Sequence, residues 1–170
     1  MEEKVSIWKN SLTHGAILGL VLIVFAIMMY VSNTFYNQNI QTIYYVIIVT
    51  TIVIGTIKQK KLEDGFISYG KALGVGTIIS VVGATIFSIF ILILMKYIDM
   101  SMIERYLYET EKIYIELGKS EEEIELMMKF SKMFPVLINV FGYIFGFSFM
   151  GFLLSLITSI FLKSKNKNIA

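Results

Sequence analysis

The chain has 170 residues, 56% hydrophobic and 16% charged, with a mean hydropathy of +0.71 and a formal net charge of +2. A soluble domain carries about a quarter charged residues, so this composition and its long uncharged runs exclude an ordinary soluble globule and point to a multi-pass membrane protein. The absence of cysteine excludes disulfides and cysteine-based metal sites or nucleophiles, and the single histidine, His14, excludes most histidine-based zinc and triad chemistry.

In chain order, residues 1–11 form a short polar head in which Trp8 suits the membrane–water interface and Lys4 and Lys9 the cytoplasmic side. A first span is expected over residues 12–32. Its apolar run is longer than a signal-peptide core and lacks an A-x-A-like site, so it is expected to be retained. No charged side chain occurs from Asn10 to Ile57, which is too long for one helix, and the turn-forming run Asn33–Asn39 divides it. A second span, short and rich in Ile, Val and Thr, is expected over residues 40–57. It is read as a helix rather than a strand, because β-branched residues are unremarkable on a helix facing lipid. The connector Lys58–Asp64 is cationic.

The third span, residues 72–95, carries no charge, and about 20 apolar residues suffice to cross the hydrocarbon core. At about 100° per residue, Gly70, Gly74, Thr77, Ala84 and Ser88 share one face, with Gly76, Ser80 and Gly83 beside it. Val75, Ile78, Ile79, Val82, Ile86 and Ile89 occupy the opposite side. Small residues let helix backbones approach closely where lipid supplies no hydrophobic force between them. The smooth half is therefore expected to meet the other spans and the bulky half to meet lipid. On this reading Gly74→Leu disrupts helix contacts.

Lys96–Lys132 is the only stretch dense in acidic residues. Ser101–Glu104 matches a capping box, Ile103, Tyr106, Leu107, Thr110, Ile113, Tyr114 and Leu117 recur at helical spacing, and Gly118 supplies a stop. A second box, Ser120–Glu123, opens a shorter helix through Ile124, Met127 and Met128. The expectation is an amphipathic helical hairpin over residues 99–132, its apolar stripe laid on the membrane surface or on the span ends. The fourth span, residues 134–162, begins at Pro135, which suits a first helical turn. Asn139 is its intramembrane polar site, and Gly142 and Gly146 make a GxxxG face. The basic tail is 163–170. The expected helix-packing set is Gly15, Gly19, Gly70, Gly74, Gly76, Gly83, Ala84, Gly142 and Gly146.

Charge sets the expected orientation. The N-terminus, the Lys58–Lys71 connector and the tail collect nine lysines, whereas in the hairpin acids outnumber bases. The positive-inside rule then places both termini in the cytoplasm and the hairpin outside it, which requires an even number of crossings. The fold class is thus an all-α integral membrane protein of four transmembrane helices, a single membrane domain with an extracytoplasmic hairpin between spans three and four. Gly15-x-x-Leu18-Gly19 and Gly70-x-x-Leu73-Gly74 echo one another at the start of spans one and three. If they mark a parallel repeat, those spans occupy equivalent positions about an axis along the membrane normal.

The segment Gly65-Phe66-Ile67-Ser68-Tyr69-Gly70-Lys71-Ala72-Leu73, the run Tyr97-Ile98-Asp99, the acidic Ser120-Glu121-Glu122-Glu123-Ile124, the lone Pro135 and the lysine-rich tail resemble the family catalogued as domain of unknown function 4199. The likeness spans nearly the whole chain. It departs from the family's Asp-Pro at Asp99-Met100, where a less sharp break is expected. The resemblance implies a four-span bacterial inner-membrane protein and brings no activity, substrate or active-site residue.

Candidate chemistry yields to packing at each point. Gly146-Phe147-Ser148-Phe149-Met150-Gly151 has its second glycine one residue late for a hydrolase elbow and lies inside a helix. His14 has no carboxylate near it in sequence and reads as interfacial. Asp64 and Asp99 fall at opposite membrane faces in the expected topology, too far apart for an aspartyl dyad. Glu121, Glu122, Glu123 and Glu125 suit a helix N-terminus better than a cation site. No catalytic, cofactor or metal residue is assigned. The expectation is a non-enzymatic scaffold or partner-binding component of the inner membrane, with a small oligomeric transporter or channel as the alternative. Its expected partners are the lipid bilayer and either a second copy or a membrane protein meeting the 99–132 hairpin, with no nucleic acid.

Overall fold

The structure is a computed structural model that describes residues 6–164. Every regular element among those residues is helical: α1 (Ile7–Val31), α2 (Gln38–Gln41), α3 (Ile43–Leu62), α4 (Tyr69–Ile93), a π turn (Leu94–Ile98), α5 (Ser101–Glu116), α6 (Glu121–Met133) and α7 (Pro135–Leu162). Four helical stretches, Ile7–Val31, Gln38–Leu62, Tyr69–Ile98 and Pro135–Leu162, are long and apolar enough to cross a bilayer. Their bounds differ from the expected ones at identifiable places. The first begins at Ile7, since Ser6 caps it by accepting from the Trp8 amide, so Trp8 to Ser11 are helical rather than a polar head. The second extends to Leu62 and takes in Lys60 and Lys61, cations that complement the C-terminal end of a helix dipole. The tail beyond Ser164 lies outside the described residues.

Three helix ends use the same device. Asn33, Asp64 and Gly118 each take positive φ (60°, 52° and 70°) just past α1, α3 and α5. In each case the next amide reaches back to a carbonyl in the last turn: Thr34 to Met29, Gly65 to Lys60, Lys119 to Tyr114. This is the Schellman closure, which satisfies carbonyls a helix would otherwise leave open. Only after α5 does a glycine occupy the left-handed position; Asn and Asp serve at the other two.

The chain forms two compact units, one from Met1–Phe87 with Ile144–Ala170, the other Ser88–Tyr143. In the first, α4 makes close approaches on two sides. Against α1, a Cβ placed on Gly15 would sit 2.7 Å from Val82, one on Gly19 2.7 Å from Ile86, and one on Gly83 2.6 Å from Leu18. The pairings Ile7–Gly74, Gly15–Val82 and Gly19–Ile86 advance in step, so α1 and α4 run parallel. Against α7, Gly76 meets Ser155 and Gly151 meets Ser80, an antiparallel exchange of one Gly-xxx-Ser motif for another. Ser80 Oγ donates to Gly76 O (2.9 Å) and Ser155 Oγ to Gly151 O (2.7 Å), so each hydroxyl is satisfied within its own helix. Ile52 and Ile79 bring in α3, against Gly76 and Gly55. One ring from each of the four helices closes a layer: Tyr44 lies 5.0 Å from Phe25, 5.6 Å from Phe87 and 5.4 Å from Phe147.

This packing corrects the face assignment. Val75 and Ile79 were expected to meet lipid and are fully buried, while Val82 and Ile86 fill the notches at Gly15 and Gly19. A smooth face of one helix takes a bulky face of the next, so α4, with neighbours on both sides, buries small and large residues alike. Its apolar window is 50% buried, against 22% for α7. Gly76, Gly83, Gly15 and Gly19 lie at close approaches and Ala84 is buried. Gly70, Gly142 and Gly146 are exposed, with no described atom within 4 Å of where a Cβ would stand, and Gly74 has only Ile7 at 3.5 Å. They are not contact positions within the chain. The repeat fails as well. Gly15 stands level with Val82, more than three turns beyond the Gly70 of the echo, about 18 Å by helical rise.

The second unit gathers Ile91, Leu94, Met95, Met102, Met128 and Val140 as its buried apolar residues. The third span ends through the π turn, where the Asp99 amide bonds Leu94 O (2.8 Å). Asp99, not Ser101, then caps α5: its Oδ1 accepts from the Ser101 amide (3.0 Å) and hydroxyl (2.6 Å). The expected box at Ser101–Glu104 does not form because Ser101 is already helical.

Gly83→Leu overpacks the α1–α4 contact and is expected to lower stability in detergent by about 1–3 kcal/mol, whereas Gly146→Leu changes it by under about 0.5 kcal/mol. Denaturation midpoints of the two variants check this, and equal midpoints would remove the glycine contacts from the account of the fold.

Candidate functional site

The second unit carries a groove of about 780 Å³ between α5 and α6. Local sequence builds it. The Gly118 turn reverses the chain, with the Lys119 amide closing on Tyr114 O. Ser120 then opens α6 with a full capping box: its hydroxyl accepts from the Glu123 amide (3.3 Å), and Glu123 Oε2 accepts from the Ser120 amide (3.0 Å). Lys119 adds an ion pair to Glu123 at 3.3 Å. These donors, the Ser120 amide first and Lys119 second, hold the Glu123 carboxyl below its usual range.

The apolar lining of the groove is Ile115 from α5 with Ile124 and Met128 from α6. The rest of its lining carries both signs of charge, Glu111, Glu121 and Glu125 with Lys119, Lys129 and Lys132. Among the described residues no ion pair joins these six charges to one another. Tyr106, half-buried on α5, has its phenol pushed up by burial, an effect opposed by Thr110 and reinforced by Tyr114.

The first unit has a polar end. Asn10 Nδ2 donates to Gly55 O at 2.9 Å, setting α1 against α3. Ser11 and Thr56, the residues that follow that pair, are fully buried, as is Gln59 one turn on. Ser11 Oγ, Thr56 Oγ1 and Gln59 Oε1 have no hydrogen-bond partner among the described residues, while Gln59 Nε2 donates to Glu63 (2.9 Å). Glu63 in turn pairs with Lys71 at 2.6 Å. Lys60 donates to Leu162 O (3.1 Å), and Ser164 is tied to Ile67 in both directions (3.0 Å each). The described lysines of this unit, Lys9, Lys58, Lys60, Lys61, Lys71 and Lys163, fall at or beside these helix ends.

The other sequence candidates are placed as follows. His14 Nδ1 is 2.9 Å from Asn10 O, half-buried, with its ring near Gly55. Asn139 Oδ1 and Ser148 Oγ are buried without a hydrogen-bond partner among the described residues. Ser148 lies inside α7, where no strand-to-helix elbow exists. Among the described residues no group of three or more His, Asp or Glu side chains is placed to hold a metal ion. Sequence reasoning missed Ser11, Thr56 and Gln59. The signal was present, since Ser11 falls in helical step with Gly15, Leu18 and Leu22 on the buried stripe of α1.

A family model described as Protein of unknown function (DUF4199) matches residues 13–164. The chain belongs to that family. No curated protein and no solved structure matches it. The family match covers the groove of α5 and α6 and, at the polar end, Thr56, Gln59, Glu63 and Lys71, but begins after Asn10 and Ser11.

Glu123 provides a pH test. Its carboxyl is held below the ordinary 4.5, so the capping stabilisation is complete above that value and is lost as the pH falls through the folded-state value. The Ser120 amide resonance is expected to titrate on acidification. Glu123→Gln, which keeps an acceptor for that amide, is expected to abolish the titration.

Proposed function

We propose that this chain is a non-enzymatic component of the bacterial inner membrane that holds a protein partner in the α5–α6 groove. The observation that carries the reading is the groove itself, lined by apolar Ile115, Ile124 and Met128 together with charges of both signs. A partner segment that is an amphipathic helix would lay apolar side chains on the apolar lining and its own charges against the charged residues. The lysines gathered at the helix ends of the first unit support cytoplasmic termini, and an even number of crossings puts the acidic hairpin on the other side. The sequence offers no catalytic motif, which supports a binding role over an enzymatic one.

A second reading, a small oligomeric transporter or channel, is favoured by one observation. Ser11, Thr56 and Gln59 present unpaired buried oxygens at one end of the first unit, and polar groups within a bilayer often line a path. The aromatic layer of Phe25, Tyr44, Phe87 and Phe147 weighs against it, because a continuous path through that unit would have to part four packed rings.

Two measurements test the proposal. The chain has no native cysteine, so single cysteines at Glu122 and Lys61 report sidedness directly. A membrane-impermeant maleimide is expected to label the first in intact spheroplasts and the second only after lysis; the reverse pattern overturns the orientation. For the groove, a benzophenone side chain at Lys119 is expected to give a discrete cross-linked product in native membranes that Ile124→Glu and Met128→Glu both abolish. A product that survives both substitutions places the contact elsewhere.

A further inference from the structure

The face of α6 turned away from the groove is apolar and open. Leu126, Phe130 and Met133 recur at i, i+4 and i+7, so they stand in one row, and each is more than half exposed (59%, 61% and 58%). They do not serve the core of their unit, which α6 meets through Met128 and Ser131 on another side. Nor do they serve the groove, whose α6 lining is Glu121, Ile124, Glu125, Met128, Lys129 and Lys132. Successive residues turn by about 100°, which sets the Leu126–Phe130–Met133 row nearly opposite Ile124 and Met128.

We infer that this row lies in the boundary between lipid headgroups and acyl chains, making α6 an interfacial helix. The position of the row names its occupant. α6 ends at Met133 and α7 begins at Pro135, with Phe134 alone between them, its φ of −137° and ψ of 55° breaking the helix. Phe134 is itself 52% exposed. The first turns of α7 then expose Leu137, Ile138 and Phe141, an open apolar surface on a helix apolar enough to cross a bilayer. The row on α6 is therefore followed, across Phe134 alone, by exposed apolar residues of a helix apolar enough to cross the bilayer. Lys129 stands beside it on a long stem that can bury its methylenes and keep the ammonium group at phosphate level. An amphipathic helix of this kind is held in the interface by its apolar face and its cations together. The inference rests on α7 being a bilayer span. It goes beyond the groove proposal, since a helix anchored along this row leaves the opposite face free to receive a partner.

The test uses the full chain in vesicles of phosphatidylcholine and phosphatidylglycerol. Trp8 is the sole tryptophan, so a Trp8→Phe background lets one introduced indole report alone. Leu126→Trp and Phe130→Trp are expected to emit at short wavelength and to be quenched most by phosphatidylcholine brominated near the headgroup end of its chains. Glu125→Trp, in the groove lining, is expected to emit as in water and to escape quenching. Water-like, unquenched emission from Leu126→Trp and Phe130→Trp, with Ile138→Trp quenched, overturns the inference while leaving α7 in the bilayer. Short-wavelength emission that bromine does not quench would show a protein covering the row, and also overturns it. If Ile138→Trp too escapes quenching, the span reading itself fails and the inference falls with it.

Discussion

The first unit depends on how closely α4 can approach α1 and α7. Between apolar helices in lipid no hydrophobic force operates, and association rests on van der Waals contact and on the polar groups that can be brought together. Contact of that kind decays within an ångström of separation, so the absence of a Cβ matters more here than in water. Gly15, Gly19 and Gly83 create the α1–α4 approach, and the reciprocal Gly76–Ser155 and Gly151–Ser80 contacts create that of α4 with α7. Serine is admitted because its hydroxyl turns back onto the carbonyl four residues earlier, leaving no unpaired group at the crossing. A bulkier or unsatisfied side chain at any of these positions would separate the backbones and forfeit the contact along whole turns.

Two kinds of interior follow within the same unit. Where Tyr44 meets Phe25, Phe87 and Phe147, rings fill the space with edge-on and tilted contacts. Where α1 and α4 begin and α3 and α7 end, Asn10, Ser11, Thr56 and Gln59 are buried, and the Glu63–Lys71 pair stands beside them. Three of the oxygens there lack partners among the described residues. A group of that kind is costly unless water or another ligand satisfies it, and this makes the polar end the part of the unit with chemistry still to assign.

The second unit is built differently. Met95, Met102 and Met128 are half of its buried apolar residues, and methionine fills irregular space without a fixed shape. What is well defined is the turn between its two helices, set by the left-handed Gly118 and the Ser120–Glu123 box. Those local contacts set α5 and α6 beside one another and so create the groove. α6 thus carries one face to the groove and a distinct exposed apolar row on the far side.

Much of this was legible in the sequence. Four apolar stretches, an acidic helical pair between the third and fourth, the Gly118 stop and the second capping box are all properties of short segments, decided by length, hydropathy and contacts within a few residues. The family resemblance was legible as well, and the family match agrees with it. The faces were not. A ranking of small against bulky residues assumes a helix with one protein side and one lipid side, and α4 has protein on both, so Val75 and Ile79 are as buried as Ala84. Gly142 and Gly146 have the spacing of a packing motif but no described neighbour to pack against, and the G-x-x-L-G echo has no structural counterpart because α1 and α4 meet three turns out of that register. Asp99 displaced Ser101 as the cap once the π turn had shifted the helix end. Periodicity along one chain establishes that a helix has faces; what each face meets depends on which other helices arrive beside it, and only the tertiary structure supplies them.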